Sequence, residues 1–300
     1  MKDKRMLTAI LFVIIGAFSF GLLGTFVKLA RQDGYDTANI TFSQVATGFI
    51  LILLLNLLAR KKKAEDWKFT TGEKVKVALH GVCVGLINIF YFLSIWYGSA
   101  GTSIVLLTQS VWMGILLESI LTRKFPSPRK IIAAVVILGG TVLATNLLLA
   151  GSSIGLAAIG FGLLAAVAST CSIYLSSRVV VNKSPLRRTL FLNMGCLLAV
   201  LIIWGPSLLQ SFDAAVLWKW GLALALLGMV LPPLMYVKGM PVIGVGLSGI
   251  ITSLQIPVGA IFACLVLREN INVYQWTGIL LIIGAIVWLN IGLLRKTNTQ

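Results

Sequence analysis

Charge is scarce in this chain, and negative charge most of all: nine Asp and Glu stand against 25 Lys and Arg, charged residues total only 11%, and there is one histidine. A catalytic centre built from acids, histidines or metal ligands needs several such groups converging on one face, and this composition does not supply them. Four cysteines (Cys83, Cys171, Cys196, Cys264) lie far apart with no paired spacing. They read as small buried apolar residues, which argues against a disulfide framework and a zinc site. No Walker or dinucleotide motif is present, so ATP hydrolysis is not expected and no cofactor or metal is implied. Period-two alternation is missing as well, which excludes an outer-membrane strand pattern.

What the chain does have is hydrocarbon-loving length. Hydrophobic residues make up 58% of it, and mean hydropathy is +0.97. A spanning helix needs roughly 20 mostly apolar residues. Breaks marked by charge, proline and glycine predict ten such helices, at 7–28, 37–59, 74–97, 101–122, 129–147, 153–179, 187–205, 216–237, 241–267 and 272–293. The fold class expected is therefore an all-α integral membrane protein. The first helix is too long for a signal-peptide core and is expected to stay in the mature protein.

A net charge of +16 raises the question of nucleic acid, but the distribution answers it. With the amino terminus in the cytoplasm, 21 of the 25 Lys and Arg fall on the cytoplasmic side, leaving Lys28, Arg31, Lys219 and Arg268 opposite. That bias sets topology during insertion, and it puts both termini inside a multi-pass protein of the cell (inner or plasma) membrane. The loops are too short for a nucleic-acid-reading module, and the basic run Arg60–Lys63 reads as a contact with anionic lipid. The partners expected are the bilayer and a small solute.

The chain also repeats itself. Shifting 98–140 by 146 residues lays one apolar helix–loop–helix on another, with Gln109 on Gln255, Leu121 on Leu267 and Gly98 on Gly244. Division at 147/148 gives five helices per half. An odd number forces the halves into opposite orientations, the inverted-repeat architecture of secondary transporters.

The segments "LQIPVGAIFACLVLREN" and "YQWTGILLIIGAIVWLN" near the end, with "GAFSFGLLGTFVKLA" at 16–30 and "GFGLLAAVASTCSIYLSSRV" at 160–179, resemble EamA-type members of the drug/metabolite transporter superfamily. The features that carry the likeness are Pro257, Glu269, Gln275, Gly278 and Gly284. The aligned first-half positions for Pro257 and Glu269 are Val111 and Arg123, and Gln44 stands where such proteins often have an Arg. The resemblance implies a five-plus-five inverted repeat around a central cavity that exports amino-acid-like metabolites, by proton exchange or facilitated flux.

Polar residues within apolar spans need a reason, because the hydrocarbon cannot solvate them. Asn88 with Tyr91, Gln109 with Trp112, and Thr170 with Tyr174 each share a helix face. Together with Gln255 and Tyr236 they are the expected solute contacts, amides and hydroxyls for hydrogen bonds and rings for stacking. The competing reading is interhelical hydrogen bonding, worth only ~0.6 kcal/mol each. Glu118 and His80, at similar depth, are coupling candidates that could pair; the alternative for Glu118 is an ion pair with Arg123 or Lys124. Lys28 and Arg31 are expected to meet Asp33 or Asp36, and Lys238 reads as a topology charge. Pro257 and the Pro232–Pro233 pair each remove a helical hydrogen bond and mark hinges in the second half. The function expected is alternating-access export. A passive channel stays open at this stage, and a membrane-embedded enzyme is disfavoured.

Overall fold

A computed structural model describes residues 2–59, 67–98, 100–145, 155–268 and 272–297. The basic run at 60–63 and Glu269 lie outside them. Among the described residues every regular element is helical. The first five predicted spans become α1 (Lys2–Gln32), α2 (Thr37–Ala59), α3 (Thr71–Tyr97), a divided helix of α4 (Ala100–Thr108) and α5 (Ser110–Thr122), and α6 (Pro128–Ala144). The next are α7 (Leu156–Arg178), α8 (Pro185–Ser211), a composite stretch over 217–243, a second divided helix of α11 (Val245–Thr252) and α12 (Gln255–Leu267), and α13 (Val273–Thr297). The composite stretch contains α9 (Leu222–Ala225) between two π turns, Leu217–Gly221 and Leu226–Val230, and closes with α10 (Leu231–Ile243). Eight helical stretches are long and apolar enough to cross a membrane, with Val273–Leu289 a shorter apolar one. The protein is a multi-pass membrane protein.

Local chemistry explains several boundaries. Thr70 and Glu73 form a reciprocal capping box at the start of α3, and Pro185 opens α8 at a position where its missing N–H costs nothing. The helix predicted to stop at 205 instead runs through Pro206 to Ser211. The end is held by Asn39, whose Nδ2 donates to the Ser211 carbonyl at 2.9 Å while its Oδ1 accepts from the Asp213 amide at 3.0 Å. Asp33 accepts from Trp220 Nε1 at 3.0 Å, and Asp36 accepts from the Asn39 backbone amide at 2.7 Å. Of the cysteines only Cys196 is buried, and Cys171 is exposed.

Much of the helix packing survives exchange of the two halves. α3 lies on α7 and α8; correspondingly α10 lies on α1, and the 217–243 stretch lies on α2. α5 and α4 touch α7 as α12 and α11 touch α1, while α2 meets α8 and α6 meets α13. Glycines admit the closest approaches. A Cβ at Gly81 would land on the Leu192 carbonyl, and one at Gly195 on the Ala78 carbonyl. The two pairs of like helices that touch, α2 with α8 and α6 with α13, meet start to end. Asn39 meets Ser211 while Asn56 Nδ2 donates to the Leu186 carbonyl, and Gly140 and Ala144 both lie beside Gly278, near the start of α13.

Several pairs break the exchange pattern: α10 packs on α7 and α8, but α1–α3 and α2–α3 are not among the packed helices described. α5 packs on α11, but α4 and α12, the pair that exchange would bring together, are not among the packed helices described.

Candidate functional site

Both divided helices break near their middles. At the first break, Gln109 turns the chain, its amide nitrogen donating to the Leu106 carbonyl at 3.0 Å. At the second, Ser253 and Leu254 donate to Ile250 and Ile251 at 3.3 and 3.1 Å, in the tighter i→i+3 pattern. Pro257 has no N–H for the Ser253 carbonyl, and Ile256 N bonds it at 3.0 Å instead. After each break comes a 13-residue helix ending in a left-handed arginine, Arg123 (φ 53, ψ 34) and Arg268 (φ 54, ψ 33). These caps set the correspondence at 145 residues, one less than the sequence shift of 146. Ser110 therefore matches Gln255, Gln109 matches Leu254, and Arg123 matches Arg268 rather than Glu269.

The breaks face each other through α5 and α11. A Cβ at Gly249 would stand 3.7 Å from Val111 Cα and 3.8 Å from the Ser110 carbonyl, and one at Gly114 would stand 3.8 Å from Val245. Further along, the Glu118 carboxylate covers the turn between α10 and α11. Gly244 has φ +82 and would place a Cβ 2.9 Å from Glu118 Oε1, and a Cβ at Gly246 would collide with Oε2. Glycine at 244 is favoured by that positive φ, whereas at 246 an added Cβ would displace the flexible end of Glu118. Glu118 Oε2 also accepts from Lys130 Nζ at 2.6 Å. The expected partners Arg123 and Lys124 sit in the reversing turn; α6 returns Lys130 alongside instead.

Gln109 is satisfied locally, donating through Nε2 to the Val105 carbonyl (3.0 Å) and accepting from Trp112 Nε1 (2.9 Å), with Trp112 itself exposed. Thr170 Oγ1 donates to Ala166 O at 2.9 Å and reaches the Ser110 carbonyl at 3.5 Å, which ties α7 to the first break. Tyr174 and Tyr236 pack on the core that includes Val111, Ile115, Ile250 and Ile251. Tyr236 stacks on Phe20 at 6.0 Å between centroids and fills the space a side chain at Gly16 would need. Asn88 donates only to Val84 in its own helix at 3.3 Å, and Tyr91 neighbours Phe92. Gln255 is half-buried beside Gly21, and its side-chain amide, like the hydroxyls of Tyr91, Tyr174 and Tyr236, has no hydrogen-bond partner among the described residues. His80 and Glu118 take separate partners, His80 Nε2 lying 3.0 Å from Ser172 Oγ on α7. Pro232 and Pro233 begin α10 directly after a π turn, and Pro257 follows the second break, so both proline sites adjoin an interruption of regular α-helix.

Arg188 is a residue the sequence reading left among loop charges. It is 2% exposed. Nη1 donates to the Val237 carbonyl at 3.1 Å and Nη2 to the Ser176 carbonyl at 3.0 Å. Each carbonyl lacks an intrahelical partner for a definite reason. Val237 lies four residues before Pro241, which has no N–H, and Ser176 lies in the last turn of α7. One guanidinium thus joins α7, α8 and α10 at one end of the bundle. The signal was present in the sequence: Arg188 heads the stripe Leu192, Cys196, Ala199, which is buried throughout.

The comparisons agree with this architecture. A crystal structure of a protein superposes with a TM-score of 0.72 at 16% identity, covering 94% of this chain and 98% of that one, which is a likeness of fold. No curated protein matches the sequence. The model of the EamA-like transporter family matches twice, over residues 7–146 and 156–291, once for each half. The chain belongs to the EamA-like transporter family.

Proposed function

We propose that the protein is an alternating-access carrier of ten spans, two inverted five-helix repeats (1–147 and 148–300) that export small polar or amphipathic, amino-acid-like solutes across the cell membrane. The observation that carries this reading is an asymmetry in a largely exchangeable packing pattern: α5 packs on α11 and α10 on α7 and α8, with no matching union of α4 and α12, of α1 and α3, or of α2 and α3 among the packed helices described. Two bundles of similar construction and opposite direction have two arrangements of comparable energy. In one of them the α5–α11 end is shut and the α4–α12 end open; exchange reverses both. With both termini cytoplasmic, the shut end is the cytoplasmic one.

Solute binds where the breaks meet. Gln255 offers an uncommitted amide, Phe20 and Tyr236 a stacked wall, and Gln109, Trp112, Thr170, Tyr174, Asn88 and Tyr91 complete the lining. Prolines 232, 233 and 257 give the second half its bending points. Glu118 couples protons to the exchange. Neutralising its carboxylate removes the charge attraction to Lys130 and the favourable contact with the N-terminal end of α11, where negative charge is stabilised. Protonation therefore loosens the shut end. Saturable uptake into proteoliposomes, stimulated by solute on the far side, is the expected result. Flux that rises linearly with concentration and ignores solute on the far side would identify a channel instead.

A further inference from the structure

Arg187 and Arg188 are adjacent but stand in opposite circumstances. Arg188 is buried and donates to two carbonyls. Arg187 lies half-buried at the rim, its guanidinium carbon 6.0 Å from the Phe69 ring centre and 5.9 Å from that of Phe191. The rings themselves are 5.4 Å apart and tilted by 48°. Lys183 joins them, with Nζ 6.0 Å from the Phe69 centroid and donating to the Lys68 carbonyl at 2.7 Å.

Among the described residues the cluster is short of negative charge. Glu73 is the acid at hand, and its Oε2 already accepts from Thr70 N at 2.8 Å and Thr70 Oγ1 at 3.2 Å. Its other oxygen stands a loose 3.9 Å from Lys183. Among the described residues Arg187 makes no hydrogen bond or ion pair, and its Nε is buried without a partner. Aromatic faces attract a guanidinium and fix its plane, but they accept none of its five N–H donors. The first turn of α8 contains no acid, so the positive end of that 27-residue helix adds to the field.

A planar, immobilised guanidinium with unspent donors and an ammonium beside it match a phosphate group. The position favours a lipid as its source. On α3, Val75 and Leu79 lie just beyond Phe69 and are 53% and 58% exposed, an apolar surface of the kind that faces hydrocarbon. The cluster therefore sits where that apolar surface gives way to charge, at the depth of head groups.

We propose that Arg187 and Lys183, framed by Phe69 and Phe191, bind the phosphate of an anionic lipid head group. This requires membrane embedding but not the transport reading, so either can fail alone. The test uses full-length protein in nanodiscs of phosphatidylcholine with and without phosphatidylglycerol. Melting temperature is followed by heating, and retained lipid by native mass spectrometry. Phosphatidylglycerol should raise the melting temperature of the wild-type chain, and R187Q/K183Q should lose most of that rise and retain one anionic lipid fewer. Lys219→Gln, elsewhere on the surface, should keep both. R187K, which keeps the charge but not the planar fork, is the fallback if the double variant folds poorly, and it should retain less phosphatidylglycerol than the wild type. An undiminished rise in R187Q/K183Q overturns the proposal. So does an equal rise produced by inorganic phosphate in phosphatidylcholine alone, which would make the ligand a free phosphate.

Discussion

The two ends of the divided helices are built from corresponding residues, yet only one end is closed. At the α5–α11 end, Val111, Gly114 and Glu118 meet Gly249, Val245 and the Gly244–Gly246 turn in succession. At the other end α4 packs against α7, α3 and α6, and α12 against α1, α13 and α6, without a comparable union between α4 and α12. The difference teaches that closure here is a matter of arrangement. Corresponding helices, 145 residues apart, take both conditions at once, and the proposed carrier would work by exchanging one set for the other.

The largest effect expected from disturbing this contrast comes at Gly246. Gly246→Val places a branched side chain on the Glu118 carboxylate and should destabilise the protein by about 1–3 kcal/mol, the usual cost of overpacking. The matching control is Gly24→Ala, where an added Cβ meets nothing within 4 Å; it should be neutral or stabilise by up to about 1 kcal/mol. Thermal melting checks both, and equal losses would erase the distinction between a crowded end and an open one.

Arg188→Lys comes next. A single ammonium cannot reproduce the fork that serves two helices, so one buried carbonyl goes unmet at a cost of about 1–3 kcal/mol. Pro241→Ala supplies the missing N–H to Val237, and the loss in the double variant should fall short of the sum. Strict additivity in a double-mutant cycle would show that Arg188 does not answer the proline.

Smaller changes in stability carry larger functional ones. Glu118→Gln should cost about 0.2–1 kcal/mol, as for a partly exposed ion pair, while pH dependence of transport in proteoliposomes disappears. Unchanged pH dependence would remove Glu118 from coupling. Gln255→Leu should leave the melting temperature of the solute-free protein almost unmoved, because the amide has no partner to lose. It should weaken the thermal shift produced by a transported solute, since ligands stabilise in proportion to occupancy.

How far the sequence carries can be judged from these same residues. Apolar length and punctuation were readable, so most helices lie close to their expected places, and Pro257 stands at the second break; the expected stop at 237 before Pro241 is misplaced, because α10 carries Lys238 and Pro241 within it and ends at Ile243, before Gly244. The first break is not expected within the predicted helix 101–122, and the match of Gln109 to Gln255 gives a register one residue too long: apolar helices align almost equally well at neighbouring shifts. The arginine caps decide it, because left-handed backbone is a conformation rather than a composition. The Lys130 partner of Glu118 is twelve residues away and depends on how the turn after Arg123 reverses. Arg188 was hidden by its neighbours, since three basic residues in a row of six look like a solvated charge run until one is seen to head a buried stripe. The π turns at 217–221 and 226–230 have no sequence signature; Gly221 and Gly228 press there against Ser43, Gln44 and Thr47 of α2.

The most direct test of the exchange is a pair of spin-label distances, one across residues 111 and 249 and its counterpart across 104 and 256, measured with and without a transported solute. The account predicts a short first distance and a long second one in the arrangement described, with solute shifting part of the population to the reverse, so that one lengthens as the other shortens. Distances that stay fixed through transport, or that shorten together, would contradict it.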